Sequence, residues 1–251
     1  MSNGSLYTHI QNNIATVEFY HQASNSFPSE LLERLAKEFK KLSANDDVKV
    51  IILKSEKDTT FCAGASFDEL VAIQDLEEGK RFFSGFANVI NEMRKCSKLI
   101  IGRIQGKAVG GGVGLAAACD YCLATLQASI KLSELTIGIG PFVIEPAVKR
   151  KMGLAAFSEL TLDATSWQNA YWAKEKGLYA KVFETIKELD FEVDVLANKL
   201  SKYNPEALKE LKKALWEGTD YWDELLVKRA EISGKLVLSD FTKNALLKFK
   251  K

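Results

Sequence analysis

The chain has 251 residues, a formal charge of +1, 47% hydrophobic and 27% charged residues. That is enough for one large core, and too balanced for a nucleic-acid partner or an anionic membrane surface. No leading apolar run resembles a signal peptide and no apolar segment is long enough to span a bilayer. The four cysteines do not suggest a disulfide framework, so a cytoplasmic location is the default expectation. His9 and His21 are the only histidines; no metal site or His-based triad is expected, and acid–base chemistry falls to carboxylates.

Residues 14–19 alternate in polarity and predict an early strand, paired with residues 6–10 across the Asn12-Asn13 turn. Pro28 breaks the pattern. Leu31, Leu35, Phe39 and Leu42 then recur at helical spacing among lysines and glutamates, predicting an amphipathic helix over residues 30–42. Asp46-Asp47 turns the chain into residues 48–53, a strand apolar enough to be buried. Next comes Phe61-Cys62-Ala63-Gly64-Ala65-Ser66-Phe67, a loop of small residues running into a helix. Such a loop can offer a backbone N–H, and Ala65 adds no bulk. Cys62 has no histidine or obvious base beside it and reads as a small buried residue rather than a nucleophile. Phe82, Phe83, Phe86, Val89, Ile90 and Met93 give one strong apolar helix face, suited to core packing or to the wall of an apolar pocket.

Residues 99–104 read as a strand that feeds Gly110-Gly111-Gly112-Val113-Gly114 and then the apolar helix body Leu115-Ala116-Ala117-Ala118-Cys119. Glycines let a ligand approach the backbone, and a helix opening there presents free N–H groups at its positive end. No Gly-Lys-Ser/Thr follows and no ribose-reading acid is identifiable, so nucleotide binding fits poorly. An oxyanion hole and a tight packing turn remain open. Cys119 and Cys122, a single Cys-x-x-Cys pair between helix and strand, read as incidental. After a short strand at residues 121–124, Glu134 stands in an apolar stretch ending at Gly140-Pro141-Phe142. Desolvation there would raise its pKa toward one suited to proton transfer; the alternative roles are a helix cap or an ion pair with Lys131 or Arg150. Glu145, just before Pro146, is a weaker candidate for the same pocket.

Alternating strands and helices up to residue 160 indicate an α/β layered fold. Helices follow over residues 149–160 and 167–176, then one more strand at Val182-Phe183, then charged helices from residue 191 to the end. Residues 1–190 are expected to form the core with the site, and residues 191–251 a helical appendage packing on the core or a neighbouring subunit.

The two small-residue loops and Glu134, in this order, resemble the crotonase family, the enoyl-CoA hydratase/isomerase superfamily, over about residues 6–185. The resemblance implies a spiral of repeated ββα units, with C-terminal helices that build homotrimers or dimers of trimers. It implies an acyl-CoA substrate, coenzyme A entering as part of the thioester with no permanently bound cofactor. It also implies an oxyanion hole from the N–H groups of Ala65 and Gly111, and Glu134 as acid/base. Asn25, Cys62, Ala63 and Gly64 match the strip along which the family holds coenzyme A, and Phe249 matches a residue near its adenine. The family's other catalytic glutamate falls at Gly114, which has no side chain; Glu134 alone would then have to deliver both parts of water, or Glu145 or a polar pocket group would have to help. The Gly-Gly-Gly-Val-Gly-Leu form, with Ser-Glu-Leu and Gly-Pro-Phe after it, looks like 3-methylglutaconyl-CoA hydratase-type members. Three functions are therefore in play: a hydratase of a branched or acidic enoyl-CoA, a single-glutamate isomerase or decarboxylase, and a non-catalytic acyl-CoA-binding protein.

Overall fold

The computed structural model describes residues 3–249. β1 (Ser5–Gln11) and β2 (Ile14–Tyr20) form the expected antiparallel hairpin, with Asn12 and Asn13 at φ 52° and 62° supplying the left-handed pair of a two-residue turn. Ala15, Val17 and Phe19 alternate inward and are fully buried. β3 (Val50–Ser55), β5 (Leu99–Ile104), β7 (Tyr121–Thr125) and β9 (Lys181–Phe183) add in parallel, giving the order β1-β2-β3-β5-β7-β9. A second sheet, absent from the sequence-based expectation, is made by three short parallel strands in the order β4-β6-β8: β4 (Thr60–Cys62), β6 (Lys107–Val109) and β8 (Ile130–Lys131). Each long strand β3, β5 and β7 leads to a short one, and each short strand to a helix or helical turn. This is the ββα repeat.

The helices cover both faces of the large sheet. α1 (Ser29–Ser43) buries Leu31, Leu35, Phe39 and Leu42, the stripe expected from its spacing. α2 (Phe67–Ala72) is capped by Ser66, and α3 (Leu76–Lys95) by Asp75, each side chain accepting from a backbone N–H of the first turn. α3 buries Phe82, Phe86, Val89, Ile90 and Met93. α4 (Gly111–Ala118) is buried almost throughout. α5 (Glu145–Leu162) breaks at Gly153, and α6 (Ala170–Glu175) is short. α7 (Ile186–Leu200) lays Leu189, Val193 and Ala197 on Val50, Ile52, Ile101 and Leu123, closing the other sheet face. The boundary expected at 190/191 therefore falls inside a helix that belongs to the core.

The remaining helices, α8 (Pro205–Leu215), α9 (Trp222–Leu236) and α10 (Asp240–Phe249), pack on their own core. α9 meets α3 where two glycines touch: a Cβ on Gly79 would lie 2.9 Å from Gly234 Cα. α8 is tied down by a buried ion pair. Lys212 Nζ donates to Asp120 Oδ1 and Oδ2 at 2.9 and 2.7 Å, and the Trp216 indole N–H and the Ile100 N–H donate to the same carboxylate. The Arg150 guanidinium stacks 4.2 Å from the Trp216 ring centroid. Among the described residues no helix is long and apolar enough to cross a membrane.

With side chains 3% and 4% exposed, Lys212 and Asp120 each depend on the other for charge compensation. Asp120→Asn should lower unfolding stability by roughly 3–5 kcal/mol by stranding the ammonium, and adding Lys212→Met should recover part of the loss. Denaturant unfolding of the single and double variants checks this.

Candidate active site

Because β4, β6 and β8 run side by side in one direction, the loops after them arrive together. Ala65 lies just beyond β4, Gly111 just beyond β6 and Glu134 just beyond β8. All three line one cavity of about 200 Å³, whose walls include Leu70, Phe82, Phe83, Phe86, Phe142 and Ile144. At roughly 30 Å³ per water-sized group, this suits a short acyl chain.

The loop around Ala65 is set by strand-like pairing. Phe27 donates its N–H to the Gly64 carbonyl at 2.8 Å, and Ser66 donates to the Phe27 carbonyl at 2.9 Å. Alternation along an extended backbone turns the N–H of the intervening Ala65 away from Phe27. Gly111 is the first residue of α4, where the N–H has no intrahelical acceptor. Among the described residues neither N–H is given to a protein acceptor. Gly64, at φ +90°, keeps the space before the second donor clear: a Cβ there would stand 3.4 Å from Gly111 N. The two donors and the start of α4 make a preorganised place for developing negative charge on an oxygen.

Glu134 opens a single 3-10 turn (Glu134–Ile137) closed by Gly138 at φ 80°. Its carboxylate lies against bare Cα of Gly110, where a Cβ would come within 2.9 Å of Oε1. Gly138 is pressed by Phe241 and Thr242, so α10 clamps the turn that carries Glu134. Oε2 is out of contact with solvent and has no hydrogen-bond partner among the described residues. Burial pushes this carboxyl up from an ordinary 4.5 to about 7, opposed by a hydrogen bond from its own backbone. No ion pair to Lys131 or Arg150 forms among the described residues. A carboxyl titrating near neutrality in a cavity that holds two oxyanion donors is equipped to move a proton at carbon beside a carbonyl.

The other residues singled out in the sequence fare differently. Gly114 faces Ile144: a Cβ would come within 2.4 Å of its Cγ2, so the space a second carboxylate would need is filled by a branched hydrocarbon. Glu145 lies outside the cavity and helps Lys149 and Arg229, at 2.6 and 3.4 Å, to line another. Asn25 is buried and fully engaged, its amide donating to the carbonyls of Glu56 and Thr60 and its oxygen accepting from His21 N–H. It braces the loop instead of offering a side chain to a ligand. Cys62 is buried beneath the site, its sulfur accepting from the Gly64 N–H, and burial raises its thiol to about 12. Ala63 and Gly64 line the cavity. Phe249 ends α10, and its side chain lies outside the described residues.

Ile144 and Ser233 also line the cavity and had no motif to announce them; Ser233 comes from α9, which reads in the sequence as tail. A neighbouring cleft shares Phe67, Val109, Ser133 and Ile137 with the cavity. Lys131 and Trp167 line that cleft; the Lys107 and Lys131 ammonium groups stand 5.1 and 5.6 Å from the Trp167 ring centroid, and among the described residues neither has a carboxylate partner.

Fold and site together bring two free backbone donors and one buried glutamate to a single small cavity. The enoyl-CoA hydratase/isomerase family model matches residues 9–245, and the chain belongs to that family. Relatives include the mitochondrial methylglutaconyl-CoA hydratase of Rattus norvegicus, 32% identical over 200 residues, covering 78% of this chain and 63% of that protein. The chain thus spans less than two thirds of that relative's length. The peroxisomal Delta(3,5)-Delta(2,4)-dienoyl-CoA isomerase of Arabidopsis thaliana is 31% identical, with coverage of 76% and 72%. The solved structure of an enoyl-CoA hydratase from Bacillus halodurans superposes with a TM-score of 0.90 at 21% identity, over 97% of this chain and 99% of that one.

Burial of Glu134 makes stability depend on pH. Its neutral form is favoured in the folded state, so its contribution is complete below about pH 4.5 and is lost as pH rises through about 7. Relative to Glu134→Gln, the wild-type chain should lose roughly 3 kcal/mol across that window. Denaturant unfolding of both proteins at about pH 5 and about pH 8.5 measures it; a constant difference would contradict the burial.

Proposed function

We propose that the protein hydrates a short enoyl-CoA thioester, with Glu134 as its sole carboxylate acid/base and the N–H groups of Ala65 and Gly111 holding the thioester oxygen. The observation that carries this is the meeting of a buried carboxyl, raised to about 7 and with one oxygen unpaired, with two unpaired backbone donors in one largely apolar cavity. The oxygen of water bonds to Cβ, and the double-bond electrons move onto the thioester oxygen. Glu134 takes the proton that the water releases and returns it to Cα as the carbonyl re-forms. Water is thereby added with no net change in the glutamate, so one carboxylate suffices in sequence where two would act together.

A second reading is favoured by Ile144. With hydrocarbon filling the space at Gly114, the same glutamate in a dry cavity would move a proton from one carbon of the acyl chain to another, shifting its double bond. Decarboxylation uses the same hole with Glu134 as proton donor.

For the substrate we propose an acyl group ending in a carboxylate, as in 3-methylglutaconyl-CoA. The lining of the reaction cavity has no cationic side chain among the described residues, whereas Lys131 stands in the adjoining cleft. The relative named methylglutaconyl-CoA hydratase supports the same choice. We keep the homotrimer as a proposal too, supported by exposed large apolar side chains such as Leu154, Leu162 and Phe191.

Incubation of 3-methylglutaconyl-CoA in water labelled with heavy oxygen, read by mass spectrometry, should show gain of one labelled water that Glu134→Gln abolishes. Loss of carbon dioxide, or exchange of hydrogen without mass gain of oxygen, would move the protein to the second reading. The acyl carboxylate has its own check: Lys131→Ala should cut the preference in kcat/KM for a dicarboxylic over a monocarboxylic enoyl-CoA by about tenfold, some 1.4 kcal/mol. An unchanged preference would point to a purely apolar acyl chain.

A further inference from the structure

Among the described residues, a few buried side-chain polar atoms have no hydrogen-bond partner. Only Glu134 Oε2 and Ser233 Oγ among them belong to residues lining the reaction cavity. Ser233 is 1% exposed. A serine inside a helix ordinarily returns its hydroxyl to the carbonyl one turn back, and this one does not. Nor is its position loose. Gly234 beside it is packed on Gly79, and Arg229, one turn before it, reaches Glu145 at 3.4 Å. Two residues that line one largely apolar cavity thus each carry a buried oxygen without a partner, which a small polar guest with hydrogen bonds to give and accept would satisfy.

We propose that Ser233 Oγ, together with Glu134, holds the water that adds to the enoyl group. This rests on the hydratase reading and deepens it: Ser233 supplies from α9 the second polar contact that Gly114 cannot give. The hydroxyl fixes the direction of the water's attacking lone pair and neither gains nor loses a proton. Glu134 alone carries the proton from water to Cα. Ser233 is a positioning residue whose effect is confined to reactions that consume water. Removal of the α-proton from a saturated acyl-CoA needs only Glu134 and the two backbone donors.

The test uses the full chain, with two readouts for each variant. The first is the rate of crotonyl-CoA hydration. The second is exchange of the α-hydrogens of butyryl-CoA with heavy water, which reports Glu134 and the oxyanion donors without water addition. Ser233→Ala should lower the hydration kcat on the order of tenfold or more, with KM little changed and α-exchange within about twofold of wild type. Ser233→Cys keeps the side-chain shape and leaves no cavity while weakening the hydrogen bond, and should behave alike, guarding against a packing defect in the alanine variant. Hydration at the wild-type rate in both variants would overturn the role of Ser233 while leaving the hydratase reading intact. Hydration and exchange falling in step would overturn it as well, since the serine would then be supporting the fold of the site. A wild-type protein that exchanges α-hydrogens but hydrates neither crotonyl-CoA nor a dicarboxylic enoyl-CoA would end the hydratase reading and this role with it.

Discussion

The backbone of Gly110 to Gly114 is enclosed on every side, and the rest of the site is built around that fact. Side chains added along it would strike, in turn, the Glu134 carboxylate, the Phe86 ring, the Cys62 carbonyl and Ile144. These four contacts come from the turn after β8, from α3, from β4 and from the loop before α5. The glycine run is therefore the point at which three successive ββα units and the pocket wall touch one another. Its lack of side chains permits the contact, and close packing then leaves the free end of α4 facing the same small cavity as the glutamate. Catalytic geometry here follows from how little room the backbone takes.

Much of this was legible in the residues. The Asn12-Asn13 hairpin, the α1 stripe, the buried β3 and β5, and the small-residue loops all carry strong local signals, because turn chemistry and apolar period act within a few residues. The second sheet carried none: β4, β6 and β8 are two or three residues long, too short for any period to show. Yet their parallel alignment is what brings Ala65, Gly111 and Glu134 together. The raised pKa of Glu134 was foreseeable from its apolar neighbours, while its seating on Gly110 was not, since that contact depends on how β6 and β8 align.

The partners of three residues lay largely beyond what spacing in the sequence can show. Glu145 drew notice for its position beside the Gly-Pro-Phe loop, but Lys149 one helical turn on and Arg229 from α9 neutralise it outside the cavity. Only the first of those partners could be read from spacing. Asn25 sits where a ligand-binding asparagine was expected, and its three hydrogen bonds are spent holding a loop whose residues 24 and 25 have positive φ. Ser233 escaped because one serine in a charged helix has no signature; only burial without a partner distinguishes it.

The clamp of α10 on the turn of Glu134 has a consequence for how the chain is made. Gly138 is pressed by Phe241 and Thr242, and Gly79 by Gly234, so the pocket is closed by residues synthesised more than a hundred positions after the turn and the helix they press on. A ribosome-bound chain can complete both sheets and still lack the helices that hold the glutamate turn and one wall of the cavity. The pocket is therefore organised only once α9 and α10 have been made and have docked on the core.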